Sequence, residues 1–395
     1  MKIGIYGGTF NPPHIGHVEA AQAAMEELAL DRLLVIPDGT PPHKEIPDGS
    51  PTAQDRGEMA LLAFGPLGKK VEVLDWELKR TGKSYTSDTL RQVKELYPND
   101  EIWLLMGTDM FLTLHQWHEP EVICKLAGLA PFRRDDFADF GEQSAFLQSA
   151  YGVRIHVVDN TNCIELSSTQ VREKIAAGSA ASLLPEAVWG YIRRKGLYGA
   201  DCSLKGLSPE ALRPIALSYL KPKRMPHVLG TEQEAIRLAR RYGADEEKAR
   251  IAALLHDCTK KLEMDEQLAL CRQYGLKLDK LEKKALKLLH SRTGAEVARD
   301  VFGADDEIWS AIRWHTTGKA DMTTLEKVIY LADYIEPTRE FPGVDSLRKT
   351  VYEDLDRGML LGLQMTIREM KEMGNPIHHN TVEARDDLLR KGVSL

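Results

Sequence analysis

His14 and His17 stand three residues apart at the end of the run Gly7-Gly8-Thr9-Phe10-Asn11-Pro12-Pro13-His14-Ile15-Gly16-His17. The run follows directly on the apolar segment Ile3-Gly4-Ile5-Tyr6. Gly7-Gly8 lets the backbone turn sharply and approach a ligand, and Pro12-Pro13 stiffens the loop. A helix beginning at Ile15 would end this loop in free N–H groups and a partial positive charge, a setting for phosphate. Two imidazoles there can donate hydrogen bonds to oxygens whose charge grows during phosphoryl or nucleotidyl transfer. No nucleophilic Ser or Cys is required, because the substrate brings its own attacking group. A second set is dispersed: His227, His256-Asp257, His290, His315 and Asp333. His256-Asp257 closes the apolar run 251–255, His315 continues Ile308, Ala311 and Ile312 at helical spacing, and Asp333 lies on the stripe of Leu325, Val328 and Ile329. Imidazole and carboxylate buried on core-facing stripes are costly unless bound to something, and together they suit a divalent metal.

The elements that must position these groups differ between the two halves. Short apolar runs at 3–6, 32–37, 71–74, 102–106, 126–130 and 153–158 predict buried strands, with amphipathic stretches at 18–28, 54–64, 87–97 and 120–126 between them. Such alternation predicts an α/β Rossmann-like domain with a parallel sheet and right-handed crossovers. Helices at 168–177 and 185–195 close it. The turn-rich stretch 196–209 predicts the boundary, giving domains of 1–200 and 205–395. Beyond it the pattern is helical at 233–242, 245–255, 265–274, 281–289, 294–302, 307–315, 325–335 and 351–373, which predicts an all-α bundle.

At 395 residues the chain suits two domains. Its net charge of −7 argues against general nucleic-acid binding, though a local cluster of donors can still hold a small anion. No apolar run reaches the roughly 18 residues that span a bilayer, so no membrane partner is expected. The start enters a strand at once and leaves no room for a signal peptide, and the five cysteines lack CxxC spacing. A cytoplasmic location is expected, and oligomeric state is left open, a homo-oligomer included.

The first motif resembles the signature of the nucleotidyltransferase superfamily, with His14-Ile15-Gly16-His17 as its His-x-Gly-His. Leu166-Ser167-Ser168-Thr169-Gln170-Val171-Arg172 resembles that superfamily's second mark, with Leu166 and Val171 where Ile is usual. Ser84-Tyr85-Thr86-Ser87-Asp88-Thr89-Leu90, Met106-Gly107-Thr108-Asp109, Trp117-His118 and Pro41-Pro42-His43-Lys44 are similar to bacterial nicotinate-nucleotide adenylyltransferase. The resemblance covers about 1–200. It implies ATP and nicotinate mononucleotide as substrates, with Mg²⁺ screening the triphosphate. It implies His17 on the α-phosphate and His14, Ser168 and Arg172 on the other phosphates. Gly7, Gly8, Thr9, Phe10, Lys44, Gly107, Ser167 and Thr169 complete the nucleotide contacts. Trp117 would stack on the pyridine ring, Thr86 would help hold the base, and Asp109 would anchor the ribose side. Nicotinamide mononucleotide is the alternative acceptor.

The order His, His-Asp, Asp resembles the HD-superfamily phosphohydrolases. His256-Asp257-Cys258-Thr259-Lys260, Leu289-His290-Ser291, Trp314-His315-Thr316, Tyr330-Leu331-Ala332-Asp333-Tyr334-Ile335-Glu336-Pro337 and Arg339-Glu340-Phe341-Pro342-Gly343-Val344 are similar to the YqeK-type subgroup. This second resemblance spans about 210–395. It implies a two-metal centre, with iron the expected metal, that splits diadenosine tetraphosphate symmetrically into two ADP. His227, His256, Asp257 and Asp333 would hold one metal and His290 and His315 the other, with Asp257 bridging. Asp257 and Lys260 are the expected catalytic groups, and Lys260 and Arg339 the expected phosphate contacts. Two other readings stay open: a phosphatase of different nucleotide specificity, and a nucleotide-sensing regulatory module. Cys258 is read as packing, and His378-His379 as exposed or structural.

Overall fold

The computed structural model describes residues 1–40, 46–132, 139–159 and 166–395. The chain forms two compact units, Met1–Cys202 and Ser203–Leu395.

In the first unit, β1 (Lys2–Gly8), β2 (Arg32–Pro37), β3 (Val71–Val73), β4 (Glu101–Met106) and β5 (Gly128–Pro131) form a parallel sheet in the order β3-β2-β1-β4-β5. The chain winds outward from β1 through β2 to β3, then crosses back to pair β4 with the other edge of β1. That reversal leaves a crevice beyond the carboxyl ends of β1 and β4, where an open α/β sheet takes its ligand. Ile3, Ile5, Leu34, Ile36, Ile102 and Leu104 are almost fully buried on the sheet, packed with Leu90, Phe111 and Ile123.

The sixth expected strand, 153–158, is not one. Leu129 N donates to Arg154 O, and His156 N and Val158 N donate to the carbonyls of Leu129 and Pro131, but only isolated bridges result. The rung that would join them needs an N–H from residue 131, and proline has none.

The second unit is helical, with no strand among the described residues. The helices Met225–Tyr242, Glu246–Leu255, Leu286–Phe302, Asp306–Trp314 and Thr324–Ile335 pack around Leu254, Leu255, Ala298, Ile312, Val328 and Ile329. The expected helices 281–289 and 294–302 are instead a short turn, Glu282–Lys284, followed by one helix, Leu286–Phe302. Gly294 lies inside that helix, where an added Cβ would come 3.5 Å from His256 O and from Thr259 Oγ1. These are ordinary contact distances, so the helix runs through Gly294 without a break. The expected helix 351–373 is likewise divided, because Asp354 caps Leu355–Glu372 after Val344–Glu353 has ended.

Arg56 ties the first motif to the sheet. It is fully buried on the helix Ala53–Phe64; Nη1 donates to Thr9 O and Asp38 O at 2.8 Å and to Asp38 Oδ1 at 3.0 Å, and Nη2 to Gly39 O at 2.8 Å. Arg56→Met removes the cation and leaves those acceptors without it. The expected loss is about 3 kcal/mol of the first unit's stability, read by denaturant unfolding, with the second unit's transition unmoved.

Candidate active sites

The first site is built where β1 gives way to the helix Ile15–Glu27. His14 is that helix's N-cap, and His14 N donates to Nδ1 of His17 at 3.2 Å. A backbone N–H can only donate, so Nδ1 of His17 keeps its lone pair and the neutral ring carries its proton on Nε2. His17 therefore presents a hydrogen-bond donor. The two rings lie 3.7 Å apart, centroid to centroid, and Phe10 wedges against His17 and Tyr6 from below. Thr9 Oγ1 donates to Asp38 Oδ2 at 2.8 Å.

The second motif docks onto this loop from far along the chain. Ser167 caps the helix Ser168–Ala176 in a capping box with Gln170. Ser168 Oγ donates to Pro12 O at 3.3 Å, Arg172 Nη1 to Asn11 O at 2.8 Å, and Arg172 Nη2 to Thr169 Oγ1 at 2.9 Å. The structure thus brings Gly7, Gly8, Thr9, Phe10, His14, His17, Ser167, Ser168, Thr169 and Arg172 to the carboxyl end of the central strand β1. Tyr198, which sequence reasoning passed over, joins them: its hydroxyl donates to Asn11 Oδ1 at 2.7 Å. Its position after the last helix of the unit gave no signal.

Gly107 caps the helix Thr108–Leu112 at the end of β4, next to β1, and Asp109 lies exposed in its first turn. Thr86 opens the helix Thr86–Leu96. That end packs on the turn holding half-buried Trp117: the Tyr85 and His118 rings lie 4.3 Å apart, and Arg91 pairs with Glu119 at 2.7 Å. Lys44, with Pro41-Pro42-His43, lies outside the described residues.

In the second unit His227, His256, Asp257, His290, His315 and Asp333 converge. Ligand atoms of His227, His256 and Asp333, and of His256, Asp257 and His315, fall within 4.8 Å of one another. His256 and His315 each sit at the C-cap of a helix, and each turns Nδ1 onto a carbonyl of its own last turn: Ala253 O and Ile312 O, both at 2.6 Å. A carbonyl can only accept, so Nδ1 holds the proton and Nε2 faces inward as a lone pair. Nε2 of His256 is buried without a hydrogen-bond partner. Nε2 of His290 lies 3.0 Å from Nε2 of His315 and 3.2 Å from Asp257 Oδ1. Buried lone pairs aimed at one point, that of His256 without a partner, are what a divalent cation requires, so the residues fit a metal.

The electrostatics agree at three of the four rings; at His227 burial is outweighed by Asp333 and Glu336, which raise its pKa. Burial lowers the pKa of His256, of His290 and, most strongly, of His315, keeping the rings neutral. Burial alone would raise the Asp257 carboxyl, but His256, His290 and Lys260 hold it well below its ordinary value. For Asp333 the same burial is outweighed by His227, His256 and Arg339.

Lys260 Nζ lies 3.0 Å from His290 Nε2 and 3.8 Å from Asp257 Oδ1. Arg339 bonds Asp333 through Nε to its carbonyl at 2.8 Å and through Nη2 to Oδ1 at 2.6 Å. Two participants were missed. Arg224 Nε donates to Asp257 Oδ2 at 2.6 Å, and Glu336 Oε1 meets Nδ1 of His227 at 2.9 Å. Glu336 lies three residues beyond Asp333 on the same helix end, a spacing that could have revealed it.

Cys258 packs its thiol against Gly294 O, and burial pushes it up to about 12. His378 caps the helix His379–Arg390, with Nδ1 accepting from Asn380 N. The neutral ring then carries its proton on Nε2, the nitrogen that faces Asp279, which is the wrong form for a ligand.

Residues 5–174 match the family model described as cytidylyltransferase-like, and residues 224–338 match that of the HD domain. A Gloeobacter violaceus protein named "Probable nicotinate-nucleotide adenylyltransferase" is 38% identical over 201 residues, which cover 50% of this chain and 96% of that protein. A Halalkalibacterium halodurans protein named "Bis(5'-nucleosyl)-tetraphosphatase, symmetrical" is 39% identical over 184 residues, covering 44% of this chain and 95% of that protein. A crystal structure from Clostridium acetobutylicum, described as a predicted HD superfamily hydrolase involved in NAD metabolism, is 42% identical and covers 47% of this chain and 98% of its own, with a TM-score of 0.45. No helix among the described residues is long and apolar enough to cross a membrane.

Behind the Thr86 turn, Thr89 Oγ1 donates to Glu77 Oε1 at 2.5 Å, and burial raises the Glu77 carboxyl to about 7. The folded unit therefore holds this proton more tightly than the unfolded chain. The stability it contributes is full below about pH 4.5 and is lost as pH rises through about 7, a change of about 3 kcal/mol. Glu77→Gln is expected to remove that fall from the pH dependence of the first unit's unfolding free energy.

Proposed function

We propose that this chain, which belongs to the cytidylyltransferase-like family through residues 5–174 and to the HD-domain family through residues 224–338, is a bifunctional enzyme acting on adenine nucleotides. Residues 1–200 transfer AMP from ATP to nicotinate mononucleotide. Residues 205–395 hydrolyse diadenosine tetraphosphate to two ADP. A cytoplasmic location belongs to the same reading.

The observation that carries the first assignment is the docking of the Ser168–Ala176 helix on the Asn11-Pro12 carbonyls, beside a His17 ring that offers an N–H. The 5′-phosphate oxygen of the mononucleotide attacks the α-phosphorus of ATP; the new P–O bond forms as the bond to the β-phosphate breaks and pyrophosphate leaves. Charge developing on the α-phosphate oxygens is met by Nε2–H of His17, while His14, Ser168, Arg172 and the helix N-termini hold the departing phosphates. Mg²⁺, when bound, screens the triphosphate. Trp117 stacks on the pyridine ring, Thr86 holds it from the adjacent helix start, and Asp109 stands at the ribose side.

The second assignment rests on the inward lone pairs of His256 and His315 beside buried Asp257. His227, His256, Asp257, His290, His315 and Asp333 would hold a divalent metal pair, iron in this reading. Such a pair supplies Lewis acidity and an activated water for a phosphoryl displacement. Symmetric cleavage adds the water oxygen to one inner phosphorus while the central bridging oxygen leaves with the other half. Lys260 and Arg339, partly exposed beside Asp257 and Asp333, would contact the phosphate chain.

In the full-length protein, His17→Ala is expected to lower kcat for adenylyl transfer about 10²–10³-fold and leave tetraphosphate hydrolysis unchanged. His256→Ala is expected to abolish hydrolysis and spare transfer. Coupled assays of pyrophosphate release and chromatography of the adenine products read both. Preference for the amide mononucleotide would change the acceptor assignment, and ATP plus AMP as products would overturn the symmetric one.

A further inference from the structure

His256 and His315 fix their own ring protons, but His227 cannot. Those two rings close helices and find a free carbonyl three residues back. His227 instead lies in the first turn of Met225–Tyr242, where the free groups are N–H donors rather than carbonyls. Its Nδ1 must find an acceptor on another element. We propose that Glu336 is the positioning residue that supplies it, holding the Nδ1 proton so that Nε2 is the atom offered to a metal. This rests on reading the second unit as a metal centre and adds to it a residue outside the ligand set.

The surroundings are built for that carboxylate. Glu336 follows the last residue of the helix Thr324–Ile335 and is completely buried. Oε2 accepts from Thr338 N at 2.7 Å; Oε1 accepts from Thr338 Oγ1 at 2.6 Å and faces Nδ1 of His227 at 2.9 Å. On the other side of the ring, Nε2 of His227 lies 3.0 Å from Asp333 Oδ1. One helix end therefore brackets His227, with Asp333 on the metal side and Glu336 on the far side. Gly230, one turn along from His227, makes the room: an added Cβ would collide with Oε2 of Glu336. A glycine is unfavourable within a helix, and here the close approach of a buried carboxylate requires it. A carboxylate behind a ligating imidazole fixes both its tautomer and its orientation.

Glu336→Gln is the discriminating variant, because it keeps the shape and puts a donor where the acceptor faces His227, while the Thr338 hydroxyl beside it can turn to accept. Thr338 N must still find an acceptor, so the amide oxygen stays on that side and the NH₂ turns toward His227. Nδ1 must then accept, the ring proton moves to Nε2, and the metal-facing atom is blocked. Metal-free full-length protein is titrated with Co²⁺ against a competing chelator, in parallel with thermal unfolding of the metal-free form. Glu336→Gln is expected to weaken Co²⁺ binding about 10–100-fold with the metal-free melting curve retained. Gly230→Ala is expected to weaken it too, with Glu336 still present. Unchanged affinity in Glu336→Gln overturns the positioning role while leaving the metal centre standing. Failure of the wild-type protein to bind Co²⁺ at all overturns the metal reading, and this inference with it.

Discussion

Which nitrogen of an imidazole carries the proton is the constraint on which both sites depend. A neutral histidine is a donor at one nitrogen and an acceptor at the other, and whatever touches the first decides what the second can do. In the first unit a backbone N–H is pressed onto Nδ1 of His17, so its Nε2 is a donor, suited to an oxygen gathering negative charge. In the second unit backbone carbonyls are pressed onto Nδ1 of His256 and His315, so Nε2 is a lone pair, suited to a cation. The same side chain is suited to opposite chemistry because it sits at opposite ends of helices. Helix N-termini offer N–H groups, and C-termini offer carbonyls.

This explains why each fold places its histidines where it does. In the parallel sheet, β1 ends at the topological reversal, and the next helix must begin there. His14 caps that helix and His17 lies in its first turn. In the helical unit His256 and His315 come at the ends of Glu246–Leu255 and Asp306–Trp314, which aim two lone pairs at one point. His227, at a helix start, is the exception, and the buried Glu336 opposite it is the compensation. Asp257 and Asp333 stay ionised despite burial because the rings and cations beside them outweigh the desolvation.

Most of this was legible in the chain, and the failures have physical causes. Alternating apolar runs exposed the parallel sheet, and imidazole and carboxylate on apolar stripes exposed the second cluster, because both patterns are local. The segment 153–158 reads as a strand by composition. Whether it completes a ladder depends on residue 131 of a different segment being proline. Arg224, Arg56, Tyr198 and Glu336 escaped for a related reason. Arg224 acts through Asp257 and Tyr198 through Asn11, 33 and 187 residues away, and nothing in the local pattern marks either pairing; for Glu336 the one local sign is its place three residues beyond Asp333.

The most direct test of two separately built phosphate sites in one chain is a metal-removal titration of the full-length protein. Bound metal, tetraphosphate hydrolysis and adenylyl transfer are followed on the same samples as a chelator is raised, with Mg²⁺ restored before the transfer assay. The account predicts that hydrolysis falls in proportion to the metal lost from the second unit while adenylyl transfer stays constant. Hydrolysis persisting in metal-free protein would contradict it, as would transfer falling in step with the metal.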